Sequence, residues 1–273
     1  KTTKDNKKMG KYAQIVMGPA GSGKSTYCKT IKEHMDVLGR TVHLVNFDPA
    51  IEATSDSAYS IDIREIIDVN DVMDSEMLGP NGGLIFCIEY LANRLDWLAE
   101  RLEDFNDDYL IIDCPGQIEL YTHLPYMKAI FHRISNSGYN MCSLYMLDSN
   151  FISNASKFVS GSLMCMSVMM QLEMPHINVL TKMDLLDEES RERVEEFLET
   201  EQTYVLGGLM AETPRHLKRL NDAISELLEM HSLVSYVTLN IKDEDSISVL
   251  LQHIDNTLQF EDEPHEIHDD FDQ

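Results

Sequence analysis

The sequence predicts an α/β fold of three layers, a mostly parallel sheet between helices, with a helical insertion late in the chain. Three observations predict it. Apolar β-prone runs alternate with helical ones along most of the chain. The connections between those runs are long enough for right-handed crossovers. A glycine-rich loop also stands between the first strand-like run and the first helical one, a strand–loop–helix order that belongs to phosphate-binding α/β sheets.

Taken in order, Tyr12-Ala-Gln-Ile-Val-Met17 is apolar and reads as the first strand, 12–17. Gly18-Pro19-Ala20-Gly21-Ser22-Gly23-Lys24-Ser25 follows and matches G-x-x-x-x-G-K-[ST]. Its glycines let backbone N–H groups converge on phosphate oxygens, and the helix that starts there turns its positive end to the same anion. Lys24 is then placed for the β- and γ-phosphates, the Ser25 hydroxyl for Mg²⁺, and Thr26 continues into the amphipathic helix 25–38. The second strand is 41–47. The alternation pauses over 48–80, where short helical turns are expected at 61–67 and 69–78.

Gly79-Pro80-Asn81-Gly82-Gly83 reads as a rigid loop before one long helix, 84–105. Strand 109–113, helix 124–135 and strand 141–147 come next. Helix 155–172 is Met-rich and reads as a core helix, with a Met-lined partner groove as the alternative. Strand 176–181 precedes a charged segment, 185–232, whose helices at 188–199 and 216–231 form the insertion. Strand 235–240 and helix 246–260 close the domain, which spans 9–260. Residues 1–8 are polar and basic and are set apart as a disordered arm. Residues 261–273 are acidic and poor in apolar residues, so they are expected to be disordered.

Composition narrows the function classes. Apolar residues make up 43% of the 273, enough for a sizeable core. Lys and Arg total 22 against 47 Asp and Glu, a net charge of −25, which argues against nucleic acid as a direct partner. The five cysteines, Cys28, Cys87, Cys114, Cys142 and Cys165, form no C-x-x-C pair, which points to a reducing compartment and away from zinc. No signal peptide is visible and no apolar run reaches the ~18 residues of a membrane span, so no membrane partner is expected.

Three further clusters carry chemistry. Asp113-Cys-Pro-Gly116 ends a strand, where a carboxylate can organise Mg²⁺ and the Pro-Gly turn can respond to a γ-phosphate. Gln117 follows and can orient a water for in-line attack; Glu119 can accept its proton or hold Gln117. Thr181-Lys182-Met183-Asp184 ends a later strand. Asp184 can accept from N1–H and the N2 amine of guanine while the Lys182 stem lies across the base; the alternative is an ordinary helix cap. Asp48, in Asn46-Phe47-Asp48-Pro49, faces the same edge, as a ligand of the Mg²⁺ hydration shell or of the attacking water, or as an Asx-Pro turn.

In Gly79-Pro80-Asn81, the run Asp113-Cys-Pro-Gly-Gln-Ile-Glu119 and Thr181-Lys-Met-Asp184, the sequence resembles the GPN-loop GTPases. Tyr121-Thr-His-Leu-Pro125 and Asp62-Ile-Arg64 are similar to that family too, and the likeness covers nearly all of 9–260. Its details look most like the third eukaryotic paralogue. The resemblance implies a P-loop NTPase of the SIMIBI class that binds Mg²⁺ with GTP or GDP and works as a dimer, with a paralogue or with itself. It implies that Asn81 acts across the dimer near the partner's γ-phosphate, and that Gln117, Glu119 and Asp48 share water activation. It further implies a role in assembly and nuclear import of RNA polymerase II, with its subunits or assembly factors as partners, from a cytoplasmic location with nuclear shuttling. The sequence departs from many SIMIBI relatives in having Pro19-Ala20 where a signature lysine would stand. It also lacks a plain Ser-Ala-Lys after the last strand, so backbone groups of 237–240 are expected to meet the base. Two rival readings remain: a GTP-binding assembly scaffold with negligible hydrolysis, and a P-loop kinase, which would not need Thr181–Asp184.

Overall fold

The computed structural model describes residues 10–51, 59–105, 108–153, 155–199, 217–230 and 235–260. The expected arm at 1–8, the acidic tail at 261–273 and part of the insertion lie outside the described residues.

Seven strands form one sheet in the order β3-β2-β4-β1-β5-β6-β7. They are β1 (Lys11–Met17), β2 (Val42–Asn46), β3 (Ile61–Asp62), β4 (Tyr109–Asp113), β5 (Tyr139–Asp148), β6 (His176–Thr181) and β7 (Tyr236–Thr238). Every described pairing is parallel. Register decides where the chemistry falls. Val16 stands opposite Asp113, Asn46 opposite Asp113, and Asp148 opposite Thr181. The carboxyl ends of β1, β2, β4, β5 and β6 therefore finish along one edge, where open α/β sheets bind ligands.

Side-chain alternation on the strands feeds two cores. Ala13, Ile15, Met17, Leu110 and Ile112 face one layer, with Ile88, Leu98, Leu120, Phe131 and Val168 of the helices. Val16, Ile111, Leu144 and Val179 face the other, with Tyr27, Ile31 and Met35 of α1 (Lys24–Val37) and Ile247, Leu250 and Ile254 of the last helix. Gln14, fully buried on that second face, is satisfied: Tyr27 Oη donates to its Oε1 at 2.7 Å and its Nε2 donates to Tyr109 Oη at 2.8 Å.

The expected helix 84–105 is two helices, α3 (Pro80–Ala92) and α4 (Leu95–Glu103), after α2 (Val69–Ser75). Leu91 of the first and Leu98 and Leu102 of the second bury in the same core, so the break at Asn93-Arg94 loses no apolar burial. Gly79-Pro80-Asn81 is likewise not a loop ahead of a helix but its first turn. Gly79 is the N-cap and Pro80 takes the first position, where its fixed φ fits and its missing N–H costs nothing. The helical turn expected at 61–67 begins as strand β3, because Ile61 and Asp62 complete the exposed edge of β2. The turn proper, Ile63–Glu65, starts only after Asp62 has accepted a hydrogen bond from Arg64 N.

The remaining helices are α5 (Glu119–Thr122), α6 (Tyr126–Asn136), α7 (Ala155–Leu172), α8 (Glu188–Glu199), α9 (Lys218–Met230) and α10 (Glu244–Leu258). Helix α5 was not expected. The Met-rich helix α7 is a core helix, with Phe158, Val159, Cys165 and Val168 buried. Helices α8 and α9 fall between β6 and β7; Val194 of α8 packs on Leu147, Leu180 and Met183, so the insertion shares the domain's core. Arg40, after α1, donates to both oxygens of Asp255 at 3.1 and 2.8 Å and ties α10 down. Among the described residues no helix is long and apolar enough to cross a membrane.

Candidate functional site

The loop after β1 is shaped by its glycines. Gly18 has φ +142°, and a Cβ there would stand 2.3 Å from Met146 O, so only glycine lets the loop pass the end of β5. Gly23, at φ +92°, caps α1, whose first residues are Lys24 and Ser25. Pro19 is half-buried and Ala20 and Gly21 are exposed; Ser22 is buried, and Thr26 is exposed on the first turn of α1. Lys24 is 7% exposed, and its Nζ donates to Gly18 O at 3.0 Å and Pro19 O at 3.1 Å. It is thus folded over the loop that it would leave for a phosphate. Burial pulls its ammonium below the usual lysine range, and Asp113 and Asp48 push back.

Asp113 ends β4 beside this loop. It is 1% exposed, and neither carboxylate oxygen has a hydrogen-bond partner. Burial pushes its carboxyl up to about 6, against the Ser25 hydroxyl and Lys24, which lower it. A buried, unsatisfied carboxylate facing a serine hydroxyl fits a divalent cation: hard oxygen donors are present, and Asp113 and Asp48 together bring more negative charge than Lys24 alone offsets. Ser25 and Asp113 are the residues that would hold Mg²⁺.

The turn that follows is held against the glycine loop. A Cβ on Gly116 would stand 2.9 Å from Ala20 Cα and N, so the two loops touch backbone to backbone. Tyr121 Oη donates to Pro115 O at 2.6 Å and fixes the turn from behind. Gln117 is half-buried, and its Oε1 is buried with no partner, an acceptor available to a water. Glu119 is exposed on the first turn of α5.

Asp48 is placed by a network that joins Asn46 to the Asp62-Ile-Arg64 stretch. Asn46 Nδ2 donates to Asp62 Oδ1 at 2.9 Å, and Asn46 Oδ1 accepts from Asp48 N at 2.9 Å. Arg64 grips Asp62 through Nε and Nη2 and donates to Ile51 O. Asp48 Oδ1 itself accepts from Ala50 N at 3.0 Å, an Asx-Pro turn. Its carboxylate still feels Lys24, and burial raises its pKa. The Asx-Pro turn is therefore present, and it holds the acid where Lys24 acts on it. Gly79, Pro80 and Asn81 are exposed. Pro80 shares a cleft of about 450 Å³ with Pro49, Ala50 and Arg64, on the flank of the Asp48 turn.

The second motif reaches the same edge. Thr181 Oγ1 donates to Ser22 O at 2.7 Å and so joins the end of β6 to the glycine loop. Lys182 has a left-handed backbone, φ 63°, and its Nζ donates to Asp148 Oδ2 at 2.8 Å. Asp184 has an 8% exposed side chain and pairs with Lys242 Nζ at 2.9 Å. Asp148 and Lys242 were not singled out in the sequence. Asp148 had a readable signal, a carboxylate ending a parallel strand as Asp113 does; Lys242 had none. The segment 237–240 is joined to the motif by one bond, with Leu239 O accepting from Met183 N at 3.3 Å.

The family described as "Conserved hypothetical ATP binding protein" matches residues 16–260. Among curated relatives, GPN-loop GTPase 3 of Dictyostelium discoideum is 50% identical over 253 residues, covering 92% of this chain and 88% of the relative. GPN-loop GTPase 3 of Saccharomyces cerevisiae is 44% identical over 257 residues, 92% and 94% of the two chains. That of Danio rerio is 44% identical over 255 residues, 92% and 89%. Among solved structures, the apo form of a GTPase from Pyrococcus abyssi superimposes with a TM-score of 0.77 at 22% identity, over 90% of this chain and 97% of the other. At that identity the superposition speaks for the fold.

Proposed function

This chain belongs to the GPN-loop GTPase family, and from that membership we propose a Mg²⁺-dependent GTP-hydrolysing switch that works as a dimer in assembly and nuclear import of RNA polymerase II. The observation that carries the chemistry is the unpartnered carboxylate of Asp113, 1% exposed, beside Ser25 and Lys24 at the head of α1. A charge so placed costs the fold stability, and a cationic ligand would offset that cost.

The residues divide the work. Backbone N–H groups of the glycine loop and the start of α1 hold the phosphates. Lys24 exchanges the carbonyls of Gly18 and Pro19 for phosphate oxygens, a move of one side chain. Mg²⁺ held by Ser25 and Asp113 would supply charge neutralisation to the phosphates. Gln117 Oε1, lacking any protein donor, accepts from the attacking water and aims it. Asp48, held by its turn near Lys24, is the acid assigned to support that water, and Glu119, exposed on α5, is the second candidate. When the γ-phosphate leaves, the Gly116–Ala20 contact is the joint through which the change leaves the site.

The matched family carries a description that names ATP, whereas the site favours guanine: Asp184 presents a carboxylate to the donor pair of N1–H and the N2 amine, which adenine lacks. The dimer is supported by Asn81, exposed on the first turn of α3 and so available to a neighbouring subunit. That neighbour is a paralogue or a second copy, and the clients are RNA polymerase II subunits or their assembly factors, met in the cytoplasm and carried to the nucleus.

Phosphate release from GTP and from ATP tests the chemistry. Asp184→Asn loses the preference for GTP by on the order of a hundredfold, the value of two hydrogen bonds to a charged group. Gln117→Ala slows release at least about tenfold with GTP affinity kept. Transfer of phosphate to an acceptor rather than to water would make the chain a kinase, and no release with any partner would make it a scaffold.

A further inference from the structure

Two ion pairs knit the base-reading corner together, and both bring in a residue from outside the Thr181–Asp184 motif. Asp148, at the carboxyl end of β5, holds Lys182; Lys242, in the turn after β7, holds Asp184. We propose that Asp148 and Lys242 are positioning residues of the base site: Asp148 lays the Lys182 stem across the base, and Lys242 sets the Asp184 carboxylate toward it. This rests on the guanine reading of Asp184.

Each oxygen of Asp148 is committed. Oδ1 accepts from Asn150 N at 2.9 Å and from Asn150 Nδ2 at 2.8 Å, and Oδ2 accepts from Lys182 Nζ at 2.8 Å. These bonds hold its carboxyl below the usual range against the opposing cost of partial burial. Lys182 is also fixed at its backbone, in a left-handed conformation that side-chain-bearing residues rarely adopt, with Ser149 Oγ donating to its carbonyl. A lysine free in solvent would have to be ordered when a base arrives; this one is ordered beforehand, its ammonium anchored one strand away so that its methylene stem lies between.

Lys242 is carried by an equally definite turn. Asn240 Oδ1 accepts from Lys242 N at 2.9 Å, Asn240 N donates to Ser246 Oγ at 3.0 Å, and Asp243 caps α10. None of these bonds uses the Lys242 side chain, so its ammonium can be removed without unmaking the turn. Its side chain is 69% exposed while that of Asp184 is 8% exposed, so it meets the carboxylate from the solvent side. One oxygen is thereby claimed, the rotamer is held, and the carboxylate keeps acceptor sites for a base.

The test is competition of GDP, IDP and ADP against a fluorescent guanine nucleotide in Mg²⁺ buffer, for wild type, Asp148→Asn, Lys242→Met, Lys242→Arg and Asp184→Asn. Asp148→Asn is expected to weaken GDP and IDP alike by about fivefold to tenfold, because it loosens the stem that lies on either base. Lys242→Met is expected to weaken GDP about threefold, leave ADP unchanged, and lose its effect near 0.5 M salt, with Lys242→Arg restoring affinity. A merely structural role would move all three nucleotides together in both variants. Wild-type or tighter GDP binding by both Asp148→Asn and Lys242→Met, with guanine preference lost in Asp184→Asn, overturns the positioning roles and leaves the guanine reading standing. Guanine preference kept by Asp184→Asn overturns that reading and this inference with it.

Discussion

A carboxylate 1% exposed, with no hydrogen bond on either oxygen, opposes folding whenever it is charged, and Asp113 is such a residue. Its folded-state carboxyl lies at about 6 against an ordinary 3.8. The sign follows from linkage: an acid whose value is raised in the fold is harmless below its unfolded value and costs stability as pH rises through the folded one. Above pH 6 that cost is about 3 kcal/mol in the metal-free chain, at 1.36 kcal/mol per unit. Asp113→Asn is therefore expected to melt several degrees above wild type at pH 7.5 in EDTA, the gap shrinking toward pH 5, while Mg²⁺-dependent nucleotide binding is lost. Scanning calorimetry across that pH range checks it; equal melting at both ends would mean the charge carries no such cost. The same residue is thus a liability to the fold and the reason the site fits a cation.

Among the elements, the decisive contact is between two loops that begin at neighbouring strand ends. β1 and β4 run side by side, with Val16 opposite Asp113, so the glycine loop and the Asp113–Gly116 turn leave the sheet next to each other. Gly116 faces Ala20 with no room for a methyl group, 2.9 Å from backbone atoms that cannot rotate away. Gly116→Ala must part the two loops, a local cost of about 1–3 kcal/mol for overpacking. The expected readout is about tenfold weaker GTP binding and slower hydrolysis with only a small change in melting temperature, since the core on either face is untouched. Wild-type affinity in that variant would show that the loops need not touch. The helix α3 teaches a related lesson: Gly79-Pro80 is punctuation in the sequence, yet in the fold it starts a helix and leaves Asn81 exposed on its first turn.

At the scale of the whole molecule, a net charge of −25 on 273 residues is a standing self-repulsion. Salt shortens its reach from about 30 Å at 0.01 M to about 8 Å at physiological strength. The melting temperature is expected to rise by a few degrees between those two conditions, measured in metal-free buffer so that ion binding at Asp113 does not contribute. A flat or falling curve would mean that pairs such as Arg40 with Asp255 and Lys182 with Asp148 already balance the field. The acidic surface is also a poor match for a phosphate backbone, whereas the glycine loop concentrates N–H groups, Lys24 and a helix start on one small anion.

The chain alone determined the main alternation of strands and helices, the seat of Lys24 and Ser25, and the strand ends at Asp113 and Thr181, because each is a local pattern: alternation, glycine punctuation, or a polar residue closing an apolar run. The core role of α7 was legible for the same reason. It could not show that Ile61 and Asp62 would become strand, since that depended on an open edge of β2 made by residues sixteen positions away. Nor could it show the break between α3 and α4, where the need to bury both Leu91 and Leu98 in one core overrode a continuous helical pattern. Asp148 and Lys242 emerged only from the fold for the deepest version of that reason. Parallel register set β5, β6 and β7 with their carboxyl ends together, so Lys182 and Asp184 found their counter-charges on chain segments 34 and 58 residues away, and no spacing within a motif encodes such a meeting.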